Sequence, residues 1–544
     1  MVDFKKDLNP SQYKAVTTKD GPLLVLAGAG SGKTRVIEYR ALFLIENGVQ
    51  PQSILLLTFT KKAAQEMLSR IIGRSDRYDG VSGGTFHSFA YKILKRYYGK
   101  PFFIIDEGDA ADAISISAEN IGILLKGKGV PKKDTIRDII SSSINKGIEI
   151  DQVLEAYYPG FVSLVSEIEA IRQEYEIFKQ ARGYFDYDDL LINLKELLED
   201  SEIRAKVSKD YRYIMVDEYQ DTNPLQGEIT YLLAKEHQNI MAVGDDAQSI
   251  YGFRGSSHKN IMVFPKRFSS CKVITLEKNY RSVQPILDLA NAVLEEMEEK
   301  YSKRLVSGKK GSSEKPRFTC YSNQYVEADD IADKIQGFIG YNADLNSIGV
   351  LFRSTFQSIA LQIELNKRKI PFRIVGGRRF YETAHVKDFV SYLKIISNPK
   401  DELSWIRSLT SLPGIGVKTA EKVMTGKLQI REVDKLKSLL SGVKQDSLID
   451  QLDKVFDYYL PIFKINYDDW KARIGDLEMI REIGGKYESL DDFLADFAID
   501  RPEASYYQKD MITLTTIHSA KGLEWETVFI INASDGSLPV SFSL

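Results

Sequence analysis

Residues 22–34 read PLLVLAGAGSGKT, and this stretch decides the fold class. A short apolar run passes directly into a glycine-rich loop and then into a helical pattern, KTRVIEYRALFLIEN at 33–47. A buried strand, a loop whose backbone N–H groups surround phosphate oxygens and a helix N-terminus together make a phosphate-binding loop. The stretch therefore predicts a nucleoside triphosphatase, without saying of which kind.

The loop residues have separate expected roles. Lys33 can reach the β- and γ-phosphates, and the Thr34 hydroxyl can ligate Mg²⁺. Ala27 stands at the first position of the pattern, where glycine is usual. The expected phosphate contacts are Ala27, Gly28, Ala29, Gly30, Ser31, Gly32, Lys33 and Thr34.

Four further apolar runs end in polar residues, and helical patterns such as KKAAQEMLSRII (61–72) lie between several of them. Continuous apolar runs suit strands buried on both faces, and strand–helix alternation favours an α/β, doubly wound parallel sheet. Ligands bind outside the carboxyl ends of such strands. For any single run, an ordinary turn is the alternative. The runs are SILLLTFT (53–60), YRYIMVDE (211–218), NIMAVGDD (239–246) and CKVITLEKN (271–279).

Acidic and amide side chains follow these strands. Asp217 is expected to partner a nucleotide-bound Mg²⁺, and Glu218 to orient and deprotonate the attacking water. Alone, such a pair would be a solvated strand end. Gln248 can sense the γ-phosphate, Arg281 can stabilise transferred charge, and Tyr280 can stack on a base. Gln12, just ahead of the first strand, can bond an adenine edge with its amide.

Composition narrows the setting. Lys plus Arg (73) nearly cancel Asp plus Glu (76), so a nucleic-acid surface must be a local basic groove. Two cysteines cannot make a disulfide framework or a zinc ribbon. The N-terminus MVDFKKDLNP has no apolar signal core, and no apolar run approaches a membrane span. We expect a cytoplasmic protein without membrane segments.

The motifs occur in one order, which strongly resembles that of the UvrD/PcrA/Rep family of superfamily 1 DNA helicases. They are LNPSQ, AGAGSGKT, LTFTKKAAQEM, GTFHSFA, VDEYQD, VGDDAQSIYGFRG, LEKNYRS and TTIHSAKGLEWETVF, and they span about residues 8 to 539.

The resemblance implies two RecA-like P-loop NTPase domains, each with an inserted helical subdomain. It also implies ATP- and Mg²⁺-dependent 3′→5′ translocation on single-stranded DNA, with unwinding at single-strand/duplex junctions. The implied plan is 1–95 with 186–282 (first core domain), 96–185 (helical insertion), 283–381 with 508–544 (second core domain) and 382–507 (second insertion).

By motif matching, the resemblance also implies site residues. Gln12 and Arg35 would contact adenine, Tyr280 would stack on it, and Glu524 would hold the ribose. Thr34 and Asp217 would be the metal partners, Glu218 the base, and Gln248 and Arg281 the γ-phosphate contacts, beside Lys33.

A DNA path is implied as well. Phe253 stands where the family usually has tryptophan, with a smaller face for stacking on bases. For Phe59 and Phe86, core packing is the alternative. The implied DNA contacts are Phe59, Thr60, Thr85, Phe86, His87, Tyr251, Phe253, Arg254 and His518.

The second insertion contains LTSLPGIGVKTAEKV (409–423), a helix–hairpin–helix pattern. The Gly414 and Gly416 N–H groups could meet a DNA phosphate without reading sequence. A plain helical hairpin, whose glycines serve only a tight turn, is the alternative.

After SDGSLP (534–539) only VSFSL remains, whereas the family continues with an arginine-bearing last motif. We expect a second core domain that lacks its C-terminal part. Three interpretations stay open: half of a split helicase completed by a separate polypeptide, a truncated chain with weak or no turnover, or an ATP- and DNA-binding module that does not unwind. A small-molecule kinase would need a pocket for the phosphate acceptor, and the sequence shows no distinct acceptor motif. The resemblance implies a role in DNA repair, recombination or replication.

Overall fold

The computed structural model describes residues 2–74, 78–125, 130–252, 255–311, 314–341, 343–375, 383–467, 470–485, 487–499 and 510–539. The chain forms two compact units. Unit 1 comprises Met1–Pro316, Tyr392–Leu452 and Gly484–Pro502, and unit 2 comprises Arg317–Ser391, Asp453–Ile483 and Glu503–Leu544. In these described ranges, no helix is long and apolar enough to cross a membrane.

The described strands are β1 (Leu23–Ala27), β2 (Ile54–Thr58), β3 (Ser82–Thr85), β4 (Phe103–Ile104), β5 (Tyr184–Phe185), β6 (Tyr213–Val216), β7 (Ile240–Gly244), β8 (Lys272–Leu276), β9 (Lys278–Asn279), β10 (Val306–Ser307), β11 (Ile348–Phe352), β12 (Phe372–Val375), β13 (Ile512–Thr516) and β14 (Thr527–Ile530).

The described helices are α1 (Phe4–Asp7), α2 (Pro10–Thr17), α3 (Lys33–Glu46), α4 (Lys61–Ile72), α5 (Phe86–Tyr97), α6 (Glu107–Asn120), α7 (Lys133–Lys146), α8 (Ile150–Tyr157), α9 (Val165–Arg182), α10 (Tyr187–Glu199), α11 (Ser201–Asp210), α12 (Pro224–Ala234), α13 (His258–Arg267), α14 (Gln284–Glu295), α15 (Gln324–Gly340), α16 (Ile359–Lys367), α17 (Ala384–Ser397), α18 (Glu402–Thr410), α19 (Val417–Met424), α20 (Arg431–Gly442), α21 (Leu448–Asn466), α22 (Trp470–Gly484) and α23 (Leu490–Ile499).

Unit 1 is built on a parallel sheet whose described strands run in the order β3-β2-β6-β7-β1-β8. Alternate side chains of β1 enter two cores: Leu24 and Leu26 pack on one face, Leu23 and Val25 on the other. Burying each contributes about 1.5–3 kcal/mol. The apolar run at 22–28 is therefore a strand buried on both faces, as predicted.

Two strands differ from the expectation. The run at 271–279 contains β8, which pairs with β1 at the edge of the described sheet, and Val273 is 43% exposed. The prediction of burial on both faces is wrong for this run. β3 has the sequence SGGT and no apolar run, so the pattern did not reveal it; pairing with β2 places it in the sheet.

The first insertion is mainly helical, as predicted. Helices α6 to α9 pack around their own core, which includes Ile114, Ile140 and Ile168. β4 and β5 pair in parallel and bring the two ends of the insertion together. Residues 126–129, within the polar stretch KGKGVPKKD, lie outside the described residues.

Unit 2 holds a second parallel sheet, whose described strands run in the order β12-β13-β11-β14. Side chains of α15 and α16, such as Ile335 and Leu361, share its core with Val350 and Leu514. Two parallel sheets, each with packed helices, confirm the α/β class with two RecA-like domains.

Candidate nucleotide and DNA site

The phosphate loop lies between β1 and α3. Gly30 and Gly32 have φ values of 72° and 88°, in the left-handed region that glycine adopts readily. The Ser31 hydroxyl donates to the Gly28 carbonyl at 2.7 Å, which closes the loop on itself. A Cβ on Gly30 would lie 2.6 Å from the Cβ of Arg281. The loop therefore has the curled backbone that the motif predicted, with another loop close against it.

Lys33 begins α3 and reaches the ends of two other strands. Its Nζ donates to Glu218 Oε2 at 3.0 Å and to Gln248 Oε1 at 3.5 Å. Burial disfavours the ammonium, but the carboxylates of Glu218, Asp217 and Asp245 outweigh it and raise the pKa of Lys33. Lys33 is therefore charged at neutral pH, and the anion it now faces is a carboxylate.

Asp217 and Glu218 follow β6 directly. Burial, and then the charge of Glu218, raise the pKa of Asp217 to about 7. The Glu218 N–H donates to Asp217 Oδ1 at 2.9 Å. Glu218 has φ 49° and ψ 43°, a left-handed conformation that costs a non-glycine residue about 1–2 kcal/mol. Strain of this kind concentrates at functional sites.

Gln220 is a site residue that the sequence analysis missed. It is fully buried, its Nε2 donates to Glu218 Oε2 at 2.6 Å, and its Oε1 accepts the Asp245 N–H at 2.9 Å. One amide thus joins the ends of β6 and β7. The available signal was an amide two positions after Glu218 in the DEYQD motif.

Asn279 is a second missed residue. Its Nδ2 donates to the Ala29 carbonyl at 2.5 Å, and its Oδ1 accepts the Arg281 N–H at 2.8 Å. The Tyr280 N–H donates to the Gly30 carbonyl at 2.8 Å. These bonds form a latch between the phosphate loop and the loop that carries Arg281.

The residues expected at adenine lie on α2, α3 and the Arg281 loop. Gln12 is 2% exposed; its Nε2 donates to the Ser31 carbonyl and its Oε1 accepts the Asn9 N–H. The Tyr280 hydroxyl accepts from Asn9 Nδ2 at 2.9 Å. Arg35 donates to a backbone carbonyl of α1. Both ends of the Gln12 amide are thus engaged within the protein.

Two aromatic residues expected to contact DNA stack on each other. The ring centroids of Phe59, after β2, and Tyr251, after β7, are 5.2 Å apart with an interplanar angle of 11°. They lie at the same sheet edge as the acidic pair, because parallel strands end on one side. Phe253 and Arg254 lie outside the described residues.

Three of the other residues expected to contact DNA cap helices or pack in the core of the protein. The Thr60 and Thr85 side chains cap the N-termini of α4 and α5. Phe86 is 4% exposed and packs in the core, the alternative that the sequence left open. His87 packs edge-on against Tyr187, and burial lowers its pKa, so the ring is neutral at pH 7.

The remaining expected residues lie on other elements. Gly414, with φ 80°, and Gly416 occupy the turn between α18 and α19; both are exposed, and an added Cβ would meet no described atom within 4 Å. The helical hairpin is therefore present. In unit 2, His518 follows β13, and Glu524 is exposed before β14.

Two of the expected site residues carry oxygen atoms of the kind that Mg²⁺ prefers. Thr34 lies in the first turn of α3, and Asp217 is a buried carboxylate among the strand-end groups. Ala27 is fully buried and ends β1 just before the loop. In the part of the chain that the structure describes, no cluster of three or more His, Cys, Asp or Glu could hold a metal. Mg²⁺ fits such a donor set, because it typically takes one or two protein ligands and completes its shell with phosphates and water.

Known protein families match nearly the whole chain. Residues 8–269 match the UvrD/REP helicase N-terminal domain, and residues 274–462 and 469–544 match the UvrD-like helicase C-terminal domain. The chain belongs to the UvrD/REP helicase family.

Within the UvrD/REP family, the ATP-dependent DNA helicase PcrA of Bacillus subtilis (strain 168) is 33% identical, over 99% of this chain and 79% of the relative. The probable DNA helicase II homolog of Rickettsia conorii is 31% identical, over 100% of this chain and 88% of the relative. The family resemblance seen in the motifs is therefore confirmed.

Proposed function

We propose that this chain hydrolyses ATP to move 3′→5′ along single-stranded DNA and to unwind single-strand/duplex junctions, in DNA repair, recombination or replication. The observation that carries the proposal is the convergence of Lys33, Glu218 and Gln248 within 3.5 Å at one sheet edge, although they lie on different strand ends. Family membership supports the use of ATP and DNA.

The proposed ATP chemistry uses groups that already face one another. Lys33 exchanges the Glu218 carboxylate for the β- and γ-phosphates. The water oxygen bonds to the γ-phosphorus, and the bond from that phosphorus to the ADP oxygen breaks. The released Glu218, which Gln220 still holds, accepts the proton of the water. A bound Mg²⁺ would neutralise phosphate charge, with Thr34 and Asp217 as its protein ligands.

Gln248 and Arg281 contact the γ-phosphate in this proposal. Gln12, Arg35 and Tyr280 form the adenine side, and Glu524 holds the ribose. Gln12 must exchange at least one of its present bonds to reach an adenine edge.

The proposed DNA path begins at the stacked pair Phe59 and Tyr251. Base–aromatic stacking contributes about 1–3 kcal/mol per base and is independent of sequence, which suits a translocase. Because these rings and the ATP groups extend from neighbouring strands, a change at the nucleotide can reach the DNA contacts through the sheet edge. The remaining DNA contacts, the four-part domain plan and the cytoplasmic location stay predictions.

Steady-state phosphate release by the full chain, with and without single-stranded DNA, tests the proposal. We expect DNA to stimulate hydrolysis and Lys33→Ala to abolish it. Lys14→Ala, which changes an exposed lysine on α2, is the matched control. ATP binding without turnover above the Lys33→Ala background would instead support a binding module.

Direction is tested with duplexes that carry a single-stranded tail on either the 3′ or the 5′ end. We expect unwinding from the 3′ tail. Unwinding from the 5′ tail alone would show that the proposed polarity is wrong.

A further inference from the structure

A buried ion cluster lies beside the candidate γ-phosphate contacts, and no motif predicted it. The Lys303 Nζ donates to Asp245 Oδ1 and to Asp246 Oδ1. The three side chains are 2%, 4% and 0% exposed, respectively. A buried charge without partners is strongly unfavourable, so the ammonium and the two carboxylates hold one another in place.

Asp245 passes this constraint to Gln248. Its Oδ2 accepts from Gln248 Nε2. Because an ionised carboxylate only accepts hydrogen bonds, the amide must turn its NH₂ to Asp245 and its oxygen to Lys33. The contact with Asp245 therefore fixes which end of the Gln248 amide faces Lys33.

Lys303 belongs to the segment KRLVS (303–307), here called the connector segment, which lies against the nucleotide site at further points. Leu305 covers Gly28 of the phosphate loop, where an added Cβ would come within 2.4 Å of its Cδ2. β10, within the segment, pairs with β9 beside the Arg281 loop. The chain then continues to Pro316, where this part of unit 1 ends.

We propose that Lys303 is a positioning residue for γ-phosphate recognition: it fixes Asp245, which orients the Gln248 amide, and so links the connector segment to the presence of the γ-phosphate. The inference rests on the proposed function, because it takes Gln248 as a γ-phosphate contact. Lys303 acts through Asp245, to which it donates a hydrogen bond.

The test measures γ-phosphate discrimination, the ratio of the dissociation constants for ADP and for the non-hydrolysable analogue AMP-PNP, on the full chain. We expect Lys303→Met to lower this ratio by about tenfold or more, because a Gln248 amide that is no longer held in place loses one hydrogen bond to the charged γ-phosphate. The phosphate loop provides the affinity for ADP, so the dissociation constant for ADP should change by less than about threefold. A threefold change corresponds to less free energy than one such hydrogen bond contributes.

A double-mutant cycle separates positioning from general damage. If Lys303 acts through Gln248, adding Lys303→Met to Gln248→Ala lowers the ratio no further, whereas independent effects would add. Additive losses would overturn the proposal. So would a Lys303→Met chain that discriminates as well as the wild type, or a wild type that does not discriminate.

Loss of the lysine leaves two buried carboxylates, so a charge-balanced variant guards against unfolding. Lys303→Met with Asp246→Asn restores the cluster's net charge, and we expect a folded chain that still lacks discrimination. Asp246→Asn alone, the matched control, should keep it. Full discrimination in the charge-balanced variant would overturn the proposal. These outcomes need no turnover, so they stay distinct from a failure of DNA-stimulated hydrolysis, which would refute the proposed function.

Discussion

Replacing Glu218 by glutamine removes one negative charge from the site and almost nothing else. The Glu218 carboxylate accepts from Lys33 at 3.0 Å and from Gln220 at 2.6 Å. Glutamine keeps an acceptor oxygen of the same reach, and it tolerates the left-handed backbone no worse than glutamate. We therefore expect the chain to fold normally.

The expected kinetic loss follows from the role of a general base. Such a group contributes about 10²–10⁴ in rate, or about 3–5 kcal/mol of barrier. Nucleotide binding should persist or tighten, because Lys33 loses an anion that competes with phosphate. The charge of Glu218 is, after burial, a cause of the raised pKa of Asp217. Glu218→Gln should therefore lower that pKa and leave more of Asp217 ionised for Mg²⁺ at neutral pH.

The assay pairs phosphate release in saturating single-stranded DNA with fluorescence titration of a labelled ATP analogue. Glu66→Gln, on an exposed face of α4, is the matched control. A Glu218→Gln chain whose turnover stays within about threefold of wild type would refute the base assignment, since the expected loss is at least about a hundredfold. Parallel loss of binding and turnover would mean that Glu218 holds the site together instead.

Three further predictions concern the same sheet edge. Asn279→Ala removes the latch to Ala29. It should lower the free energy of unfolding in urea by about 1–3 kcal/mol and slow ATP hydrolysis. An unchanged hydrolysis rate would show that the latch does not support the site. The pKa of Asp217 is about 7, and a metal needs the ionised carboxylate. The Mg²⁺ concentration for half-maximal hydrolysis should therefore rise as pH falls below about 7, by up to about tenfold per pH unit. A Mg²⁺ requirement that does not change with pH would exclude Asp217 as a ligand. Tyr251→Ala should weaken single-strand binding, measured by fluorescence anisotropy, by about 1–3 kcal/mol while DNA-free ATP affinity stays constant. Equal loss of both would indicate a packing role for the ring.

The hydrophobic pattern predicted the strands that are buried on both faces of the sheet. The runs that became β1, β2, β6 and β7 are continuous and apolar because helices cover both faces of the sheet. β8 and β3 depart from that rule for the same reason: edge strands need less apolar sequence. Backbone pairing with β2 holds SGGT in place, and no periodicity reveals that.

The sequence offered candidate site residues one by one, but it did not reveal the amides that hold them. Gln220 lies in the motif VDEYQD and Asn279 in LEKNYRS, but the spacing of these motifs does not predict which strand end each amide will reach. Their bonds to Asp245 and Ala29 cross between sheet strands.

The sequence by itself determined the phosphate loop, the acidic strand end and the family, because each can be identified from short runs of contiguous residues. The tertiary structure alone decided the partners of those residues. Lys33 meets Glu218 across a long stretch of chain because the strand order β3-β2-β6-β7-β1-β8 places the ends of β1 and β6 on either side of β7. Lys303, just ahead of β10, meets Asp245 at the end of β7. Pairing of buried charges depends on that order, since a charge removed from water is stabilised only by groups within a few ångströms.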